Sequence, residues 1–141
     1  MKFDAAGNRL WATYYGGAGD DWGYGISTDA SGNVYLAGYT DSGTGIASGG
    51  FQNTFGGVSD AFLVKLNAAG ARQWATYYGG TGDEQCLSIA TDVSSGNVYL
   101  GGYTFSISGI ASGGFDNTLG GTYDAFLVKF STTGGRLWAT Y

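Results

Sequence analysis

Two pairs of neighbouring acids, Asp20-Asp21 and Asp83-Glu84, are the residues of this sequence best equipped for chemistry. Set in Gly-rich surroundings, their oxygens could ligate a hard cation such as Ca2+. Asp20, Asp21, Asp83 and Glu84 are therefore the candidate metal ligands, although neither an EF-hand nor an RTX-like spacing accompanies them. Acid–base work on a glycoside is a poorer match, because sequence neighbours rarely hold the separation across a substrate that this reaction needs. The plainer reading is that these acids accept hydrogen bonds from loop amides. Asp29, Asp60, Asp92 and Asp124 flank apolar runs and read as structural for the same reason.

Other routes to catalysis are closed by composition. The chain has no His and a single cysteine, Cys86. It thus lacks the commonest general base and any Cys-based metal cluster. Cys86 reads as a small buried apolar residue. The run Gly16-Gly17-Ala18-Gly19 is not a phosphate loop, since no Lys-Ser/Thr pair follows it. Six basic residues and a net charge of −5 argue against nucleic acid as a partner. No apolar run is long enough to insert into a membrane, and Met1-Lys2-Phe3-Asp4 does not resemble a leader peptide. No enzyme activity and no organic cofactor are expected. Trp22, Tyr39 and Tyr103 remain as aromatic candidates for stacking on a ligand such as a glycan.

The elements that must position these residues repeat along the chain. Trp11-Ala12-Thr13-Tyr14-Tyr15-Gly16-Gly17 returns at Trp74 to Gly80, and Trp138-Ala139-Thr140-Tyr141 begins it again. The shift is 63 residues and then 64, the extra one lying in the turn Asp92-Val93-Ser94-Ser95-Gly96. All six basic residues occupy two repeat positions: Lys2, Lys65 and Lys129, then Arg9, Arg72 and Arg136. With 28 Gly, no Pro and 16% aromatic residues, the chain is expected to be all-β and turn-rich.

Each unit holds four strand candidates, A to D. In the first copy these are Tyr24 to Asp29, Val34 to Thr40, Ala61 to Leu66 and Arg72 to Tyr77. Strand C is apolar on successive residues, Ala61-Phe62-Leu63-Val64, so both of its faces should be covered. Four-stranded units with two buried faces must stack, as propeller blades do. Trp11, Trp74 and Trp138 repeat and read as packing residues on strand D. Trp22 does not repeat, its counterpart being Gln85, and Gly23, Tyr24 and Asp41 likewise face Cys86, Leu87 and Phe105. Such positions are where specificity could have been added.

The motifs Trp-x-Thr-Tyr-Tyr-Gly-Gly, Asp-x-x-Gly-Asn-Val-Tyr and Asp-Ala-Phe-Leu-Val-Lys together resemble the SBBP-type bacterial β-propeller repeat, and the middle one is similar to NHL-type blades. The resemblance covers essentially the whole chain. It implies propeller blades, usually in large secreted or cell-surface prokaryotic proteins, and carries no catalytic motif.

On this reading residues 1–14 are a partial C–D hairpin of a preceding blade. Residues 15–78 are blade one with its D–A loop, and 79–141 are blade two with its own. Two complete antiparallel blades cannot close a ring, since propellers use roughly four to eight. The expected partners are further copies of the chain, forming a ring or a filament, or neighbouring blades of a longer array. Bare blade faces and open edge strands make a stable monomer unexpected.

Overall fold

The computed structural model describes residues 1–141 and contains ten strands and no helix. A short hairpin, β1 (Lys2–Phe3) and β2 (Arg9–Trp11), precedes two four-stranded sheets. The first sheet is β3 (Asp21–Thr28), β4 (Val34–Thr40), β5 (Asp60–Leu66) and β6 (Arg72–Tyr78), paired in that order. The second repeats it with β7 (Glu84–Thr91), β8 (Val98–Thr104), β9 (Asp124–Phe130) and β10 (Arg136–Thr140). All pairings are antiparallel, and the sheets do not close into a ring.

Strand β4 keeps the limits expected of it, whereas β3 starts three residues before the expected Tyr24. The cause is a bulge. Asp21, Trp22 and Gly23 pair with Thr40, Tyr39 and Gly38, the register slips, and Gly25 then pairs with Ala37. Strand β7 slips at the same place, between Cys86 and Ser88. Opposite each bulge the backbone comes so close that a side chain on Gly38 would overlap the Trp22 carbonyl, and one on Gly102 the Gln85 carbonyl. Only glycine fits there.

The sheets pack face to face. Tyr35, Ala37, Leu63, Trp74 and Tyr78 of the first meet Cys86, Leu100, Phe126, Val128 and Phe130 of the second in one core cluster. The opposite face of the first sheet, with Phe62, Val64 and Tyr77, carries a second cluster that takes in Trp11 and Tyr15. The first strands of the two sheets also touch, and Ser27 Oγ lies 2.8 Å from Thr91 Oγ1.

This stacking explains the apolar run of strand C. Ala61, Phe62, Leu63 and Val64 are all sealed, at 0–1% exposure. In β9 the same positions alternate: Phe126 and Val128 face the first sheet and are buried, whereas Ala125 is exposed and Leu127 is 41% exposed. One sequence pattern thus meets two environments, covered on both faces in the first sheet and on one face in the second.

Candidate functional site: loop rim and blade junction

The loops β2–β3, β4–β5, β6–β7 and β8–β9 gather at one rim, and the expected acids lie there. Their roles differ within each pair because neighbouring residues on an extended chain face opposite ways. Asp20 is exposed, and its carbonyl accepts the Asp41 amide at 2.9 Å. Asp21 turns inward. Its carboxylate accepts the Gly17 amide at 2.8 Å, the Ser42 hydroxyl at 3.2 Å and the Thr40 hydroxyl.

The second copy repeats the pattern one residue along from Asp83. Glu84 is fully buried and accepts the Gly80 amide at 2.8 Å and the Thr104 hydroxyl at 2.6 Å. Asp83 accepts the Ser59 hydroxyl instead. Ser42 and Ser106 complete each knot, receiving the Gly19 and Gly82 amides at 2.9 and 2.8 Å. Asp21 and Glu84 therefore tie one loop to the next at equivalent points, and the four proposed ligands do not converge. No group of three or more His, Cys, Asp or Glu side chains gathers as a metal cage.

Asp60 is an acid whose importance adjacency in sequence did not reveal. It is fully buried; one oxygen accepts the Gly56 amide at 2.8 Å and Gln52 Nε2 at 3.1 Å, and the other, Oδ1, has no hydrogen-bond partner. Burial pushes its pKa up to about 6, with the negative Glu84 adding to the rise and the Gly56 amide opposing it.

The aromatic candidates fall into two groups. Trp22, 37% exposed, stacks on Tyr39 with ring centroids 4.5 Å apart, and Tyr24 stacks on the same ring at 5.7 Å. Tyr103 belongs to a separate cluster with Phe105 at 5.9 Å and Tyr123 at 6.2 Å. Tyr39 and Tyr103 are repeat equivalents. Each has recruited partners from positions that differ between copies: Trp22 and Tyr24 against Gln85 and Leu87, Phe105 and Tyr123 against Asp41 and Ser59. Tyr123 had given no sign of this in the sequence, because its clustering depends on the β8–β9 pairing that sets it beside Tyr103.

Below the rim, the blades are joined by side-chain bonds to turn and loop carbonyls. Trp74 lies over Gly134 of the β9–β10 turn, and its indole Nε1–H donates to the Thr132 carbonyl at 3.0 Å. Tyr78 donates to the Ile110 carbonyl at 2.8 Å, which also accepts Arg136 at 2.9 Å. One junction earlier, Trp11 donates to the Ala68 carbonyl at 3.0 Å and Tyr15 to that of Ile46 at 2.6 Å. The repeated Trp is thus a packing residue, as expected, and also a hydrogen-bond donor into the next unit.

Four-stranded antiparallel sheets, stacked face to face with their first strands in contact, are β-propeller blades. The chain carries the SBBP β-propeller repeat: residues 10–46 match the model of that family. The chain is also similar to an uncharacterized WD repeat-containing protein of Acanthamoeba polyphaga mimivirus, with 31% identity over 106 residues, which cover 72% of this chain and 8% of that protein. It is similar to Regulatory protein FlaEY of Caulobacter vibrioides, with 28% identity over 136 residues, 95% of this chain and 14% of that protein. The chain spans a small part of the length of these curated relatives. It holds no helix long and apolar enough to cross a membrane.

Proposed function

We propose that this chain is a non-enzymatic interaction module that acts by stacking blades, associating through its blade faces and edge strands into a ring or filament at the cell surface or outside the cell. The observation that carries this reading is the contrast between equivalent positions on the two sheets. Tyr35, Ala61 and Leu63 are fully buried, whereas Leu127 is 41% exposed and Tyr99 and Ala125 are uncovered in part or whole. A face built to be sealed is left open, and open apolar faces of this kind mark interaction sites. The secreted location rests on the family resemblance. Light scattering after gel filtration tests the reading: concentration-dependent assembly supports it, and a folded monomer at every concentration overturns it.

A second reading is favoured by the stacked aromatics at the rim. The Trp22–Tyr39–Tyr24 group offers a flat, half-open platform suited to a sugar ring. Binding on a glycan array that disappears in Trp22→Ala supports it, and unchanged binding in that variant rules the platform out. Calcium has less behind it, because Asp21 and Glu84 already accept protein donors.

A further inference from the structure

We infer that the partner of the open blade face is a second copy of this chain, docked head to tail so that Trp138 and Phe115 of one copy seat on the β1–β2 turn of the next. This rests on the self-association proposed above and names the contact that makes it.

The argument comes from a joint that the molecule builds twice within itself. At the first joint Trp11 covers Gly70, and both the Trp11 indole and the Lys2 ammonium donate to the Ala68 carbonyl, at 3.0 and 3.5 Å. At the second, Trp74 covers Gly134, and Trp74 and Lys65 donate to the Thr132 carbonyl at 3.0 and 3.3 Å. A Cβ added to either glycine would lie 2.8 Å from the indole ring, so each ring occupies the space that only a glycine leaves free. Beside the second joint, Phe51 packs on Phe130 with centroids 6.5 Å apart, and the Arg136 guanidinium lies 4.5 Å from the Phe51 ring centroid.

Both halves of this joint recur at the two ends of the molecule, uncovered. On the outer face of the second sheet, Trp138 and Phe115 line a groove of about 450 Å³, and Phe115 is 99% exposed. Lys129 stands beside them where Lys65 stands in the built joint. At the other end is the β1–β2 turn, in the same conformation as the two occupied turns. Gly7, Gly70 and Gly134 have φ of 82°, 84° and 86°. Their amides donate to Asp4, Asn67 and Ser131 at 3.1, 2.9 and 3.0 Å.

The occupied glycines are pressed by indole rings, whereas nothing lies within 4 Å of where a Gly7 Cβ would be. In the repeat register Ala5, Phe3 and Arg9 correspond to Thr132, Phe130 and Arg136, and Phe3 is 52% exposed. Docking would set Trp138 over Gly7, with its indole and Lys129 donating to the Ala5 carbonyl. Phe115 would meet Phe3 under the Arg9 guanidinium. The receiving turn is already folded, so little conformational entropy opposes the contact.

The test is the concentration dependence of assembly for wild type, Trp138→Ala, Phe115→Arg and the double variant Phe115→Arg with Arg9→Glu. These side chains lie on the surface or in its groove, and circular dichroism verifies folding. Trp138→Ala should weaken association about thirtyfold, as for truncation of a central aromatic anchor. Phe115→Arg should weaken it similarly by opposing Arg9, and Arg9→Glu should restore it. If wild type assembles but neither single variant weakens it, or Arg9→Glu fails to rescue, the contact is wrong while self-association stands. If wild type remains monomeric, both fall. If only a tandem fusion of two chains buries Trp138, the occupant is a neighbouring blade of one chain, and the second copy is excluded.

Discussion

Asp60 and Glu84 belong to different blades, yet their carboxyl oxygens crowd the same glycine: a methyl group at Gly79 would collide with Asp60 Oδ1 and Glu84 Oε2 alike. Both acids are fully buried, and Asp60 Oδ1 has no donor. With its pKa raised from 3.8 to about 6 in the fold, Asp60 binds its proton more tightly folded than unfolded. Its stabilising contribution is complete below about pH 4 and is lost as pH rises through 6, on the order of 3 kcal/mol in all. Asp60→Asn should flatten this part of the profile, so that urea midpoints at pH 5 and pH 7 differ less than in wild type. An unchanged profile would place the titrating group elsewhere.

Asp29 acts with the opposite sign. Burial alone would raise its pKa, but bonds from Asn33, Tyr35 and Ser31 outweigh this and hold it below its ordinary value. It accepts the Ser31 and Asn33 amides at 3.0 Å each and the Tyr35 hydroxyl at 3.1 Å, with Lys65 3.9 Å away. Its contribution is therefore present above pH 3.8 and lost at lower pH. Asp29→Ala should cost about 1–3 kcal/mol. Its counterpart Asp92, held at about 2 by bonds from Ser95 and Ser94, ties only its own exposed turn. Asp92→Ala should cost less, and chemical denaturation of the two variants compares them directly.

Trp74 separates packing from hydrogen bonding. Trp74→Phe keeps an aromatic ring over Gly134 but removes the donor to the Thr132 carbonyl, for a cost of about 1 kcal/mol. Trp74→Ala removes both, and the cavity raises the cost to about 3–5 kcal/mol. Thermal unfolding should order the chains wild type, Phe, Ala. A Phe variant as unstable as the Ala variant would mean that the indole donor dominates the joint.

How far such features were legible in the sequence depended on the distance over which they are determined. Strand β4 was readable to its limits because its apolar run and the Gly32-Asn33 turn are local. The start of β3 was not, since Gly23 looks like loop until its pairing with Gly38 brings it into the strand ahead of the bulge. The propeller architecture followed from repetition and from the apolar Ala61–Val64 run. Among the candidate site residues, adjacency suggested that Asp20 and Asp21 act together, but backbone alternation sends one outward and the other into a knot with Thr40 and Ser42. The bond from Trp74 to Thr132 spans 58 residues and has no local signature.

Cys86 gives the cheapest check of the packed face. It is 1% exposed, its thiol donates to the Ser88 carbonyl at 3.3 Å, and burial pushes its pKa up to about 12. Thiol reagents act on the thiolate, so modification at neutral pH should be slow and should track unfolding. A rapid reaction in the folded protein would mean that the two sheets part readily.

The joints between blades are made from positions that recur in every unit: a Lys and a Trp on one side, a turn glycine and the carbonyl two residues before it on the other. A unit duplicated in register brings both parts with it, so lengthening or shortening such a gene by whole repeats needs no compensating substitution. The inserted residue at the Ser94-Ser95 turn shows where a unit can also change length. Copy number is then free to drift while the geometry of each contact is inherited unchanged.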